Sequence, residues 1–279
     1  MFVSVLVLAA ALSPWPQSFV SVGEVPLDLA GVTVLDARDD GPFKRGHIPH
    51  AQRADWTKFR EGLFIGGRLP EDLSQVAHGL ERLGVDDKKR VLVCGAALKG
   101  WGEEGRIAWL VMYLGHPAVA VLDGGCQAWT AAGRSFTTVR DDVTPHHFTA
   151  KPDERLRARA GDLVQAMGGK SQVLDVRTTE EFNGKTSYFE ARGGHIPGAV
   201  HVDHSAVFGV DGRVKSAAAL RQLLISAGID PEKPVIAYCT GGVRSAFVVM
   251  ALRSAGVDAR NYDGSFWEWA SDDKLPVVR

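Results

Sequence analysis

The run Cys239-Thr240-Gly241-Gly242-Val243-Arg244-Ser245 directly follows the apolar stretch Pro234-Val235-Ile236-Ala237-Tyr238. A thiol therefore stands where a strand should end and a helix begin, in a glycine-rich loop closed by an arginine. A cysteine at a helix N-terminus faces unpaired backbone N–H groups and the positive end of the helix dipole, which favour the thiolate. Gly241 and Gly242 allow the backbone to fold closely around the sulfur. Thr240 and Val243 are expected to supply backbone N–H groups, and Ser245 a hydroxyl near the helix start. Arg244 is expected to supply a fixed positive charge for an anionic substrate or intermediate. Arg192, beside Gly193-Gly194, and Lys185 are further loop cations that such an anion would attract. The pattern suits a nucleophilic cysteine that handles an anion.

The elements that must hold this loop are legible as alternating strand and helix. Val32–Leu35, Val91–Val93 and Val119–Leu122 read as buried strands, as do Val173–Val176, Val200–Val202, Val235–Tyr238 and Ala259–Tyr262. Leu73–Leu83 and Ala217–Ala227 carry apolar residues at helical spacing and stop at Gly84 and Gly228. Arg106–Leu114 and Arg244–Ala255 read as helices after a central strand. Such alternation predicts an α/β fold with mostly parallel sheets flanked by helices. Ligands of these sheets bind beyond the carboxyl ends of the strands, where Cys239 lies.

The blocks of the chain occur twice, at a spacing of roughly 140 residues. Val32-Thr33-Val34-Leu35-Asp36-Ala37-Arg38 answers Ser171-Gln172-Val173-Leu174-Asp175-Val176-Arg177. Gly46-His47-Ile48-Pro49-His50-Ala51 answers Gly194-His195-Ile196-Pro197-Gly198-Ala199. Arg90–Gly95 answers Pro234–Cys239, and Leu122–Trp129 answers Tyr262–Trp269. The period is too long for a solenoid and implies two copies of one domain, residues 18–138 and 160–279, joined by a polar linker over 139–159. Gly95 takes the place of Cys239, so the first copy is expected to be inert. Its longer loop, which contains Trp101 and two glutamates, is expected to wall the cleft of the second. Asp36/Arg38, Asp175/Arg177, His47 and His195 recur in both copies, which favours structural roles for them.

With 279 residues and a net charge of −1, the chain offers no basic footprint for nucleic acid. Its cysteines are Cys94, Cys126 and Cys239, an odd number without a C-x-x-C motif, which argues against a disulfide framework or a zinc site. Residues 1–17 contain an apolar run too short to span a bilayer. The run resembles the core of a secretory signal but lacks a preceding Lys or Arg, so it also reads as an N-terminal extension. Cleavage would imply a periplasmic or secreted protein, and retention a cytoplasmic one.

Gly194–Val202, Ala259–Trp269 and the loop Cys-x-x-Gly-x-Arg from Cys239 to Arg244 resemble the signatures of tandem-domain rhodanese-type sulfurtransferases over residues 18–279. The resemblance implies two rhodanese-like domains, catalysis through a Cys239 persulfide, and no metal or organic cofactor. It implies a small anionic sulfur donor, and cyanide or a thiol as acceptor. Cysteine phosphatases use a loop one residue longer; here that position is Ser245, and the smaller cradle suits sulfur better than a tetrahedral phosphate. Arg244 favours thiosulfate as donor over 3-mercaptopyruvate. Two departures from the family bear on the donor: Thr240 replaces a basic residue, and Glu181 replaces an arginine in the segment Glu181-Phe182-Asn183-Gly184. A non-catalytic sulfur-carrier or binding module is the alternative of a different class. Fusion of two domains supplies an interface that a dimer would otherwise give, so a monomer is expected.

Overall fold

Two five-stranded parallel sheets are built in the same order from the two halves of the chain. The computed structural model describes residues 14, 15, 17–62, 66–169 and 171–279. The first sheet has β1 (Phe19–Val20), β2 (Val32–Asp36), β3 (Gln52–Arg53), β4 (Arg90–Cys94) and β5 (Val119–Leu122) in the order β1-β5-β4-β2-β3. The second has β6 (Arg157–Ala158), β7 (Gln172–Asp175), β8 (Val200–His201), β9 (Val235–Tyr238) and β10 (Ala259–Tyr262) in the order β6-β10-β9-β7-β8. Strand pairs within both sheets are parallel. The expected α/β architecture and its duplication are both present. The second sheet begins inside the stretch read as a linker: Arg157 and Ala158 are buried, but two residues show no periodicity.

Most of the signal-like segment lies outside the described residues. Of its described residues, Trp15 is buried; its indole N–H donates to Val91 O (3.0 Å), and the Arg90 guanidinium lies 4.1 Å from its ring. Among the described residues, no helix is long and apolar enough to cross a membrane.

Helices cover both faces of the sheets. The first half contributes α1 (Asp40–Arg45), α2 (Ser74–Glu81), α3 (Glu103–Tyr113) and α4 (Cys126–Ala131). The second contributes α5 (Ala160–Ala166), α6 (Thr179–Phe182), α7 (Ala217–Ser226), α8 (Val243–Ser254) and α9 (Ser265–Ser271). Helix α8 is buried on every side from Val243 to Leu252. A helix apolar all round belongs inside a core, and here α3 of the other domain covers it. Phe247 on α8 sits at this seam, with Phe19 at 5.5 Å and Phe208 at 4.8 Å between ring centres. Residues from both halves consequently form one continuous hydrophobic cluster.

Reciprocal hydrogen bonds tie the domains together. Asp123, at the end of β5, accepts from Val214 N (2.9 Å), and its counterpart Asp263 accepts from Leu69 N (2.7 Å). Asp263 also holds the buried Arg157 at 2.9 Å. The repeated Asp-x-Arg pairs fasten a strand end to the Gly-His loop. Arg177 binds Asp175 and donates to Gly194 O (2.8 Å), just as Arg38 binds Asp36 and donates to Gly46 O (2.8 Å).

Cys94 and Cys126 form a disulfide, with 5.1 Å between their Cα atoms. This corrects the expectation drawn from the odd cysteine count. The pairing is made by tertiary structure: β4 and β5 are neighbours, and Cys126 N donates to Gly95 O (2.8 Å) at their carboxyl ends. In the second domain the equivalent space holds the buried rings of Tyr238 and Phe266. The bridge closes a 32-residue separation, for which chain entropy gives a stabilisation of about 3–4 kcal/mol. Cys94→Ala/Cys126→Ala, or reduction of the wild type, should therefore lower the denaturant midpoint. Equal midpoints with and without reductant would show that the bridge adds no stability.

Candidate active site

Strand β9 delivers Cys239 to the amino end of α8. Gly242, immediately before this helix, has φ of +75°, a left-handed turn that a side chain would strain, and it aims its N–H at the Cys239 sulfur (3.1 Å). Gly241 is required for space, because a Cβ there would overlap the Trp267 ring. Ser265, itself at a positive φ of 54°, accepts Cys239 N–H on its hydroxyl (3.1 Å) and donates to Tyr262 O (2.7 Å). The Ser245 hydroxyl lies 2.7 Å from Asn261 Oδ1 and 3.5 Å from the Cys239 sulfur. It has one proton to give, and ionisation of the sulfur draws that proton toward it.

Cys239 is 1% exposed. Burial alone would raise its pKa, but the Arg244 charge and hydrogen bonds from Ser245 and the Gly241 backbone outweigh it and lower the thiol below its ordinary value. The expected anionic sulfur at a helix N-terminus therefore has both the geometry and the electrostatics it needs.

The Arg244 charge is paired. Its two terminal nitrogens each donate at 2.7 Å to the Glu181 carboxylate, and one donates to Thr240 Oγ1 at 2.8 Å. Thr240 in turn donates to Glu181 (2.5 Å), so its side chain, as well as its backbone, belongs to the network. Glu181 also accepts from Thr178 N (3.0 Å), closing the capping box of α6. Burial opposes ionisation of Glu181, yet the Arg244 hydrogen bonds and charge prevail and hold it at about 2. The glutamate that replaces the family's arginine is thus the partner of the loop arginine. Its sequence signal was the Thr178-x-x-Glu181 capping pattern.

Arg192 is corrected outright. Its guanidinium donates to the carbonyls of Trp269, Ala270, Asp272 and Leu275 at 2.6–3.0 Å, clamping the end of α9. It does not line the cavity over Cys239, and neither does Lys185. His195 supports structure: its backbone pairs with Val278, and its Nδ1 lies 3.1 Å from Phe182 O.

The cavity over the sulfur measures about 160 Å³ and is lined by Trp56, Trp101, Glu103, Tyr188 and Trp267 together with the loop. Trp56, Trp101 and Glu103 come from the first domain. Arg106 on α3 reaches the Gly242 and Gly67 carbonyls from beneath the loop. Burial depresses Arg106 to about 10, while the charges of Asp263 and Cys239 favour its protonated form. Trp101 and Glu103 belong to the first-domain loop expected to wall the cleft, whereas Trp56, Tyr188 and the place of Trp267 in the wall escaped sequence reasoning because they converge only in three dimensions.

The matching loop of the first domain is filled differently. Gly102, at φ of +81°, takes the place of Gly242, so Glu104 takes that of Arg244. The Glu104 carboxyl accepts Ala97 N–H (2.9 Å) and lies where a Cβ on Gly95 would overlap it. Burial raises Glu104 to about 8. Asp36, Cys94 and Cys126 cluster with metal-ligand spacing, but both sulfurs are in the bridge and Asp36 is bound to Arg38.

A model of the rhodanese-like domain matches residues 24–132 and again residues 159–272. The chain belongs to the rhodanese family of sulfurtransferases. It is 34% identical over 266 residues to the putative thiosulfate sulfurtransferase SseB of Mycobacterium tuberculosis, covering 89% of this chain and 91% of that one. It is 30% identical over 263 residues to the sulfur carrier protein TtuD of Thermus thermophilus, again covering 89% and 91%. The crystal structure of SseA from Escherichia coli, described as a 3-mercaptopyruvate sulfotransferase, superposes with a TM-score of 0.79 at 23% identity over 89% of this chain and 98% of that one. This last likeness is one of fold. As a rhodanese-type sulfurtransferase, the protein takes a sulfur donor and a sulfur acceptor.

Two measurements probe this site. Ser245→Ala removes a donor to the sulfur, so the pH at which Cys239 alkylation by iodoacetamide reaches half its rate should rise; an unchanged midpoint would exclude the hydroxyl from thiolate stabilisation. Glu181, held below its unfolded value of ~4.3, stabilises the fold above that pH, and the contribution disappears as pH falls toward about 2. The stability gap between wild type and Glu181→Gln should therefore be full at neutral pH and close over that acid range in urea titrations. A gap independent of pH would remove the ion pair as its cause.

Proposed function

We propose that Cys239 is the nucleophile of a ping-pong sulfur transfer and that the second domain alone carries the chemistry. The supporting observation is the buried thiol at the floor of the cavity, with Gly242 N–H on its sulfur and Arg244 lowering its pKa. With thiosulfate as donor, the Cys239 thiolate attacks the outer sulfur. The bond to the sulfite sulfur breaks, its electron pair leaves with sulfite, and Cys239 holds a persulfide anion. An acceptor thiolate, or cyanide, then attacks the outer sulfur and returns Cys239 as thiolate, giving a small persulfide or thiocyanate. The loop N–H groups and Ser245 stabilise the negative charge in both half-reactions. Thiosulfate is supported by the name of the mycobacterial relative at 34% identity. The loop lacks the Gly and Thr/Ser that the mercaptopyruvate pattern places at positions 240 and 244.

A second reading, a sulfur carrier that passes its persulfide to another protein, is supported by the similarity to TtuD. The readings separate by turnover. Incubation with thiosulfate should add one cyanide-labile sulfur to Cys239 by mass spectrometry, and thiocyanate should then form over many cycles. Cys239→Ala should abolish both, and retained thiocyanate formation in that variant would end the assignment. Stoichiometric loading without turnover would favour the carrier.

A further inference from the structure

The cavity over Cys239 has chemistry that its single arginine conceals. Among the described residues Arg244 is the one basic side chain that lines it, and both its terminal nitrogens are committed to Glu181. The guanidinium lies 5.2 Å from the Trp101 ring centre and 5.9 Å from that of Tyr188, so aromatic groups flank it as well. Glu103 lines the same cavity with a carboxylate whose hydrogen-bond partner is Trp101 N (2.8 Å); among the described residues it forms no ion pair. Burial raises Glu103, and His204 draws it the other way. His204 itself lies against Trp101, with 6.5 Å between ring centres, and beside Asp203 at 3.4 Å. Once the sulfur is anionic, the site sets Arg244, and Arg106 from behind the loop, against Glu181, Glu103 and the sulfur. The remaining wall is Trp56, Trp101, Tyr188 and Trp267. Cavities of about 150 Å³ take a benzene-sized body, and aromatic walls near a carboxylate favour a cation over an anion.

Building on the persulfide reading above, we infer that, among thiol acceptors, the cavity favours those with a small neutral or cationic body, and that Glu103 sets this preference. The acceptor thiolate attacks the outer sulfur of the Cys239 persulfide, the S–S bond to Cys239 breaks, and the electron pair returns to the Cys239 sulfur. No further reactant is needed.

The test is a charge series on a loaded enzyme. Wild-type protein is charged with inorganic polysulfide, desalted, and mixed with cysteamine, 2-mercaptoethanol or 2-mercaptoethanesulfonate at matched thiolate concentrations. Loss of the extra sulfur from Cys239 is followed by mass spectrometry. The neutral thiol should react on the order of tenfold faster than the sulfonate, as expected for a one-charge difference in a focused field, and the ammonium thiol, two charges away, faster still. Glu103→Gln should narrow the gap between cysteamine and the sulfonate. A flat series, a series led by the sulfonate, or a gap untouched by Glu103→Gln would overturn the inference while leaving sulfur transfer intact. A Cys239 that never takes up sulfur would instead overturn the persulfide reading, and this inference with it.

Discussion

A thiol whose ionisation is favoured although it is held almost wholly out of water is the constraint on which this structure turns. A buried charge is costly unless donors and counter-charges meet it. Strand β9 and helix α8 bring the Gly242 N–H and the Ser245 hydroxyl to the sulfur, and Arg244 supplies the charge. Arg244 is itself buried and so needs Glu181, which in turn needs Thr240 and the α6 capping box. Each group satisfies the one before it, and the chain of dependence ends in ordinary secondary structure. Helix α8 can present this array only because it is shielded on every side, and one of those sides is α3.

The two domains are therefore unequal parts of one site. Their sheets share strand order, and their Asp-x-Arg clamps and the aspartates at the ends of β5 and β10 work alike. They differ in the loop after the central strand. In the second domain that loop is short and wraps a sulfur. In the first it is longer, and its residues turn outward to line the other domain's cavity with Trp101 and Glu103. Arg106 supports the Cys239 loop from the same helix.

The sequence made most of this readable, for identifiable reasons. The strands β2, β4, β5, β7 and β9 are continuous apolar runs or close to it, α2 and α7 carry clear spacing and stops, and α3 and α8 are legible from their place after a central strand. The two-residue strands β1, β3 and β6 are too short for periodicity to register. The Cys94–Cys126 bridge depends on neighbouring strand ends that no spacing rule reveals. Arg244 supplies the expected charge at the loop, but its ion pair with Glu181 was not legible because the partner is 63 residues away. Arg192 looked like a free loop cation because its partners are backbone carbonyls, which leave no mark in the side-chain pattern.

The Glu104 carboxyl has a consequence for how the two halves differ. It fills the volume over Gly95 that a cysteine side chain would need, and it rests on the N–H of Ala97 in a loop longer than its counterpart. A single change of Gly95 to cysteine would meet that carboxyl instead of a nest of donors. A reactive thiol at that position would need a shorter loop and the removal of the glutamate as well, so a single substitution does not turn the first domain into a copy of the second.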